Sequence, residues 1–189
     1  MGAWPSGLHP VCFTVDYQTA RRKLLKLDQT WSRRLSIAER PGPLRDLAIL
    51  FSHSGDSWFW AAGLALLWLL GDSDWKARDV ILAAGVFITA LTVLIIKFSV
   101  RRQRPAGEWG RIYRSTDPHS FPSGHAARAV MLGVVAIGIG PAWFGWILAI
   151  WAPLVILSRV AMGVHYLSDV IAGALLGAAL GAGVLFFFA

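Results

Sequence analysis

The chain has 189 residues, of which 56% are hydrophobic and only 15% are charged, a composition that indicates a protein of the lipid bilayer rather than a soluble domain. Its net charge is +7, and the basic residues flank apolar stretches instead of forming one patch. Anionic lipid headgroups are therefore the expected partner, and nucleic acid is not. The single cysteine, Cys12, excludes an internal disulfide and a cysteine-based metal site.

The N-terminal segment, residues 1–54, predicts a helix at the membrane surface. Residues 1–15 are interrupted by prolines and glycines, and a helical pattern of leucines among arginines and lysines runs from Asp16 to about Glu39. This helix is too polar to cross a bilayer, so we expect it in the membrane interface. The alternative is a solvated helix that packs on the rest of the protein. A short apolar stretch follows at 44–53.

Five further apolar stretches predict an all-α bundle of about five transmembrane helices, at residues 58–70, 80–100, 123–140, 143–157 and 169–188. We expect one membrane domain over residues 1–189, in which residues 55–189 form the helical core. Gly173, Gly177 and Gly181 recur one turn apart on the last stretch. They allow another helix to approach closely, either within the chain or from a second copy in a homo-oligomer.

If the last four stretches each cross once, three polar clusters lie on the same side of the membrane. The first cluster is Lys97 followed, after six residues, by Arg104-Pro105. A helix that continued through this segment would align Lys97, Arg101 and Arg104 on one face, which suits a dianion. The alternative is that such residues anchor the end of a span at the membrane surface, which we expect for Arg101 and Arg102.

The second cluster is Pro122-Ser123-Gly124-His125, at the start of the third stretch. Ser123 is the predicted N-cap, and the unpaired backbone N–H groups of a helix start suit an anion such as phosphate. A simple turn that leads into a helix is the alternative. Arg128 lies three residues beyond His125, where it would either contact a headgroup or extend toward the membrane surface.

The third cluster is Ser158-Arg159, then His165 after five residues and Asp169 after three more. Ionisable residues between apolar spans are costly unless they are paired or functional. Asp169 lies one turn after His165 and could accept its Nδ1 proton, which would leave Nε2 nucleophilic. A structural His and Asp that cap the fifth span are the alternative, but they do not explain Arg159.

Together the clusters resemble the signature of the type 2 phosphatidic acid phosphatase (PAP2) superfamily, which is Lys-x6-Arg-Pro, Pro-Ser-Gly-His and Ser-Arg-x5-His-x3-Asp. Every fixed position is matched in order, and the resemblance covers residues 55–188. It implies that His165 attacks phosphorus and becomes a phosphohistidine, that Asp169 orients it, and that His125 protonates the leaving oxygen and then activates water. The residues that it implies for phosphate binding are Lys97, Arg104, Ser123, Gly124 and Arg159.

The resemblance implies a membrane lipid phosphatase that needs no metal or other cofactor, and the sequence shows no ligand cluster with metal-site spacing. For the substrate we expect a bacterial polyprenyl phosphate or diphosphate, with phosphatidic acid and phosphatidylglycerophosphate as alternatives. The loop at 108–120 is the expected determinant of that choice.

Two other classes of function remain as alternatives to the lipid phosphatase. A vanadate-dependent haloperoxidase would use the same pocket, but the five apolar stretches and the short chain disfavour it. A catalytically dead membrane scaffold or transporter is disfavoured by the complete motifs.

The side of the membrane that carries the site is a separate expectation. Basic residues on that side favour an active site that faces the cytoplasm of a bacterial cell. Many bacterial members of the resembled family instead act on the outer face.

Overall fold

The computed structural model describes residues 17–107, 109–110 and 117–188, and within these residues the chain forms helices and no strand. The all-α prediction is therefore confirmed. Residues 1–15, predicted to be irregular, and much of the loop at 108–120 lie outside the described residues. The helices are α1 (Tyr17–Leu35), α2 (Pro43–Ser54), α3 (Ser57–Leu70), α4 (Ser73–Val100), α5 (Gly124–Ile139), α6 (Ala142–Ala161) and α7 (Leu167–Phe188).

Helices α3 to α7 correspond to the five predicted apolar stretches. Of these, α4, α6 and α7 are long and apolar enough to cross a membrane, whereas α3 and α5 are shorter, with 14 and 16 residues. The helix α4 begins seven residues before its apolar stretch, because Asp72 caps it by accepting a hydrogen bond from the backbone N–H of Trp75 at 2.9 Å. Hydropathy alone misses such a polar first turn.

The helix α5 lies at the centre of the bundle, in contact with α4, α6 and α7. Its small residues are buried, and the glycine stripe of α7 packs directly on its backbone. A Cβ atom added at Gly177 would lie 2.1 Å from the carbonyl oxygen of Ala127, and one at Gly173 would lie 2.5 Å from that of Ser123. The predicted close packing therefore occurs within the chain. The face proposed for a homo-oligomer is covered by α5 and is not available to a second copy.

The N-terminal helix α1 packs against the start of α7 while it keeps an exposed apolar side. The Ser32 hydroxyl accepts a hydrogen bond from the backbone N–H of Leu167 at 2.8 Å. Leu24 and Trp31 remain more than half exposed among the basic residues of the helix. The helix thus packs on the rest of the protein, as in one alternative, and also presents an exposed apolar surface of the kind expected for the membrane interface.

Candidate active site

The starts of α5 and α7 are tied together by the backbone, which brings the second and third clusters into contact. Ser123 is the N-cap of α5, and its hydroxyl accepts from the backbone N–H of Ala126 at 3.4 Å. The Ser123 backbone N–H in turn donates to the carbonyl oxygen of Asp169 at 3.0 Å. Gly124 and His125 occupy the first turn of α5, as predicted, so the N-terminal end of this helix faces the other polar residues.

Three basic side chains from different elements meet at this end of the bundle, and all three are almost fully buried. They are Lys97 near the end of α4, Arg104 in the loop after it and Arg159 near the end of α6. A cluster of buried cations is unfavourable without an anion, because like charges repel and each has lost its hydration. The arrangement therefore favours the binding of an anion.

Asp117 supplies a negative charge to two of these cations. Its Oδ2 atom contacts the Lys97 ammonium and lies 2.7 Å from Arg104 Nη2. Its backbone carbonyl accepts from Arg104 Nε at 2.7 Å. Burial lowers the pKa of Arg104, and Asp117 opposes that shift. The Asp117 carboxylate thus occupies hydrogen-bond donors of both Lys97 and Arg104.

The route from Lys97 to Arg104 is not the continuous helix considered from the spacing. The helix α4 ends at Val100, and Arg101 adopts a left-handed conformation with φ of 51°. A residue in that conformation ends the helix and redirects the chain. Arg104 consequently reaches the cluster from a loop, where it also donates to the Val164 carbonyl at 2.9 Å.

His165 is fully buried beside this cluster, between α6 and α7. Its Nε2 atom lies 3.1 Å from Arg104 Nη1, and because a guanidinium only donates hydrogen bonds, Nε2 is the unprotonated acceptor. The ring proton is then on Nδ1, which lies 3.6 Å from Asp169 Oδ2, a separation longer than a hydrogen bond. Burial, and then Arg104 and the other nearby cations, hold the pKa of His165 well below its usual value. The imidazole is therefore neutral at neutral pH.

Arg102 is a site residue that the sequence reasoning missed. It was expected to anchor the span end, but its Nη1 donates to Asp169 at 2.7 Å and its Nη2 donates to Asp28 of α1 at 2.6 Å. Its guanidinium also stacks over the Tyr166 ring at 4.1 Å. Burial would raise the pKa of Asp28, but hydrogen bonds from Ser168 and Arg102 outweigh it and lower that pKa. Asp169 is thus held by an ion-pair network that extends to the N-terminal helix.

His125 has a carboxylate partner that the sequence reasoning also missed. Its Nε2 atom lies 2.7 Å from Oδ1 of Asp56, which precedes α3. Arg128 was expected to contact a headgroup or to extend toward the surface. Instead it is buried, and its Nη1 donates to the Gly55 carbonyl at 2.7 Å. Both contacts join the start of α5 to the turn between α2 and α3, and no regular spacing in the sequence could have indicated them.

Two cavities reach the polar cluster. One, of about 420 Å³, is lined by residues of α1 and of the loops that carry Arg104 and His165. The other, of about 200 Å³, lies between α3, α4 and α5 and contacts Lys97 and His125. The two histidines of the signature therefore face different cavities, with buried cations nearby.

Comparisons with known proteins identify the family and the fold of this chain. Residues 78–189 match the sequence profile of the PAP2 superfamily. A decaprenylphosphoryl-5-phosphoribose phosphatase of Mycobacterium tuberculosis is 34% identical over 148 residues, which cover 78% of this chain and 81% of that protein. An undecaprenyl-diphosphatase of Sulfolobus acidocaldarius is 33% identical over 139 residues, or 71% of this chain and 66% of that protein. A transmembrane PAP2-type phosphatidylglycerolphosphate phosphatase of Bacillus subtilis shares the fold, with a TM-score of 0.69 at 23% identity over 87% of this chain and 86% of that one.

Proposed function

This chain belongs to the PAP2 superfamily, and on that premise we propose that it removes the terminal phosphate of a polyprenyl phosphate or diphosphate. It is an integral membrane protein, and its relatives are phosphatases. Two of those relatives are named for polyprenyl substrates, which supports a polyprenyl carrier here. The observation that carries the proposal is that both histidines lie beside the buried cations: His165 Nε2 is 3.1 Å from Arg104 Nη1, and His125 lines a cavity together with Lys97.

In the proposed complex, the phosphoryl group lies between the two histidines. Its oxygens accept hydrogen bonds from the three buried cations, Lys97, Arg104 and Arg159. The Ser123 hydroxyl and the backbone N–H groups at the start of α5, including that of Gly124, complete the site. Because these donors are buried and already in place, they stabilise the charge that develops on the phosphoryl oxygens in the transition state.

The proposed reaction has two steps. His165 Nε2 attacks phosphorus, so an N–P bond forms while the P–O bond to the leaving group breaks, and His125 gives a proton to the leaving oxygen. His125 then takes a proton from water, and the resulting hydroxide attacks phosphorus while the N–P bond breaks, so orthophosphate leaves and the His165 ring is restored. Asp169 stabilises the positive charge on His165 in the intermediate. The lowered pKa of His165 supports its role, because only the neutral ring is a nucleophile.

The smaller cavity supports a route for the lipid. It runs from Lys97 and His125 along α4 to Thr89 and Val93, where the helix lies within its apolar span. A lipid that entered there would place its leaving oxygen on the His125 side and its phosphorus toward the cations. The hydrocarbon tail could remain in the bilayer throughout the reaction.

The proposed function is tested by phosphate release from purified polyprenyl, phosphatidyl and phosphatidylglyceryl phosphates, with EDTA present. Polyprenyl substrates are expected to be hydrolysed, and His165→Ala is expected to abolish the reaction. His119→Ala, a change of another histidine at the same end of the bundle, is the control and should remain active. Release that survives His165→Ala would refute the phosphohistidine step, and loss of activity in EDTA would refute the metal-free reaction.

We further propose that the active site faces the cytoplasm of a bacterial cell, which is supported by the basic residues of α1 at this end of the bundle. The test introduces one cysteine into a Cys12→Ser background, either at Ala106 near the site or at Ser73 at the opposite end of α4. Both positions are exposed. An impermeant thiol reagent added to intact cells should label Ser73→Cys. Labelling of Ala106→Cys instead would place the site outside.

A further inference from the structure

Two side chains outside the phosphatase signature connect in sequence to His125: Asp56, in the turn between α2 and α3, contacts it directly, and His53, near the end of α2, contacts Asp56. Asp56 Oδ1 lies 2.7 Å from His125 Nε2, and Asp56 Oδ2 lies 3.0 Å from His53 Nδ1. Asp56 occupies the N-cap position of α3, yet its side chain makes no capping hydrogen bond. The carboxylate instead joins the two histidines in a row that runs from a half-exposed His53 to the reacting end of the bundle.

We propose that Asp56 is the positioning residue for His125, with His53 as its outer partner, and that this carboxylate sets which nitrogen of His125 exchanges protons with the substrate. The inference rests on the proposed phosphatase function. An ionised carboxylate only accepts hydrogen bonds, so the Nε2 atom that faces Asp56 must carry a proton. The other nitrogen, Nδ1, then donates to the leaving oxygen and later accepts from water.

The charges around His125 explain why a carboxylate is needed there. Positive side chains surround the ring from three helices, Lys97 from α4, Arg128 from α5 and Arg159 from α6. His165 lies across the site, and Asp117, on the same cavity as Lys97, is already paired with cations. Burial of the ring, and then these cations, disfavour its protonated form, which His125 needs in order to protonate a leaving group. A negative charge in direct contact with the ring opposes both effects and favours the protonated form.

Asp56 is held in the ionised form that this role requires. Burial would raise the pKa of its carboxyl, but hydrogen bonds from His125 and His53 outweigh burial and hold that pKa well below its usual range. The backbone beside it is also fixed, since Arg128 donates to the Gly55 carbonyl at 2.7 Å. A Cβ atom added at Gly55 would lie only 3.0 Å from His125 Cδ2. The turn and the ring are therefore in contact, and the carboxylate has little freedom to move away.

The test compares the first turnover of two substrates by wild type and Asp56→Asn. A polyprenyl phosphate has an alkoxide leaving group that needs a proton, whereas 4-nitrophenyl phosphate has a leaving group that needs none. Asp56→Asn should slow the first turnover of the lipid by about 10²-fold or more, because acid catalysis usually contributes about 10²–10⁴-fold. The burst of 4-nitrophenol should stay within about tenfold of wild type. His53→Gln should give a smaller loss of the same kind.

The controls separate positioning from folding and from the proposed function itself. Asp46→Asn, which removes an exposed carboxylate from the first turn of α2, should leave both substrates unaffected. An equal loss for both substrates in Asp56→Asn, or no loss for either, would overturn the role of Asp56. If wild type hydrolysed neither substrate, the proposed function would fail and this role with it.

Discussion

Asp117 occupies the donors of the proposed phosphate site, so its removal should tighten the binding of phosphate. In Asp117→Asn the side chain keeps its shape and loses the charge that contacts Lys97 and lies 2.7 Å from Arg104 Nη2. Wild type must displace this carboxylate before an anion can bind to the same cations. The variant does not have to, and before phosphate binds its Lys97 and Arg104 lack the negative charge of Asp117.

The magnitude follows from the contacts. A hydrogen bond between charged groups contributes about 1.5–3 kcal/mol, but the Asp117 side chain is 39% exposed, so solvent screening reduces its contribution to about 1–2 kcal/mol. At 1.36 kcal/mol per factor of ten, this corresponds to about 5–30-fold tighter binding of orthophosphate. Without phosphate, the free energy of unfolding of the variant should be lower than that of wild type by the same amount, about 1–2 kcal/mol.

Inhibition of lipid hydrolysis by orthophosphate, together with thermal unfolding at increasing phosphate concentration, measures both effects. Asp117→Asn should show a lower inhibition constant, a lower melting temperature without phosphate and a larger rise on its addition. Asp74→Asn, at an exposed position at the opposite end of α4, should change none of these. An inhibition constant equal to or higher than that of wild type would refute competition between Asp117 and phosphate.

Three further predictions concern packing, the N-terminal helix and pH. Gly177→Ala should destabilise the protein by at least about 1–3 kcal/mol because its Cβ would overlap backbone, whereas Gly183→Ala, with open space around its Cβ, should not; equal melting temperatures would contradict the packing described. Asp28→Asn should release Arg102 and lower kcat/KM by about tenfold to a hundredfold, and unaltered kinetics would show that α1 does not support the site. Because the pKa of His165 is lowered from its usual 6.5, the unfolded chain binds more protons there as the pH falls below about 6.5, so wild type should lose up to about 1.4 kcal/mol of stability per pH unit relative to His165→Gln. Parallel stability curves for the two proteins would contradict this shift.

The sequence was sufficient for the apolar interiors of α3 to α7 and for the grouping of the signature. Apolar stretches mark the interiors of the helices. If successive helices run in opposite directions through the membrane, α4 and α6, which carry Lys97 and Arg159 near their ends, finish on the side where α5 and α7 begin. Ser123 could be predicted as an N-cap because capping depends on residues within one turn. Helix capping depends on neighbouring residues, and the grouping of the clusters depends on the number of membrane crossings between them. Both can be determined from a single sequence.

The carboxylates that support the site could not be predicted in the same way. Asp56 lies 69 residues before His125, and Asp28 lies 74 residues before Arg102, so neither contact has a periodic or local pattern. Arg102 has the sequence context of a membrane anchor, and only its three-dimensional partners distinguish it from one. The left-handed conformation of Arg101 is a further example, because a non-glycine residue rarely adopts it and nothing nearby predicts it.

The match to the PAP2 profile begins at residue 78, yet Asp28 and Asp56 precede it and contact the site. The chain can therefore be divided at the turn between α3 and α4 into two pieces that both contribute residues to the site. A piece that ends at residue 71 would supply the supporting carboxylates, and a piece that begins at Asp72 would supply the whole signature. Since helices that insert separately can still associate in a bilayer, the two coexpressed pieces should together restore hydrolase activity, and neither piece should show it alone.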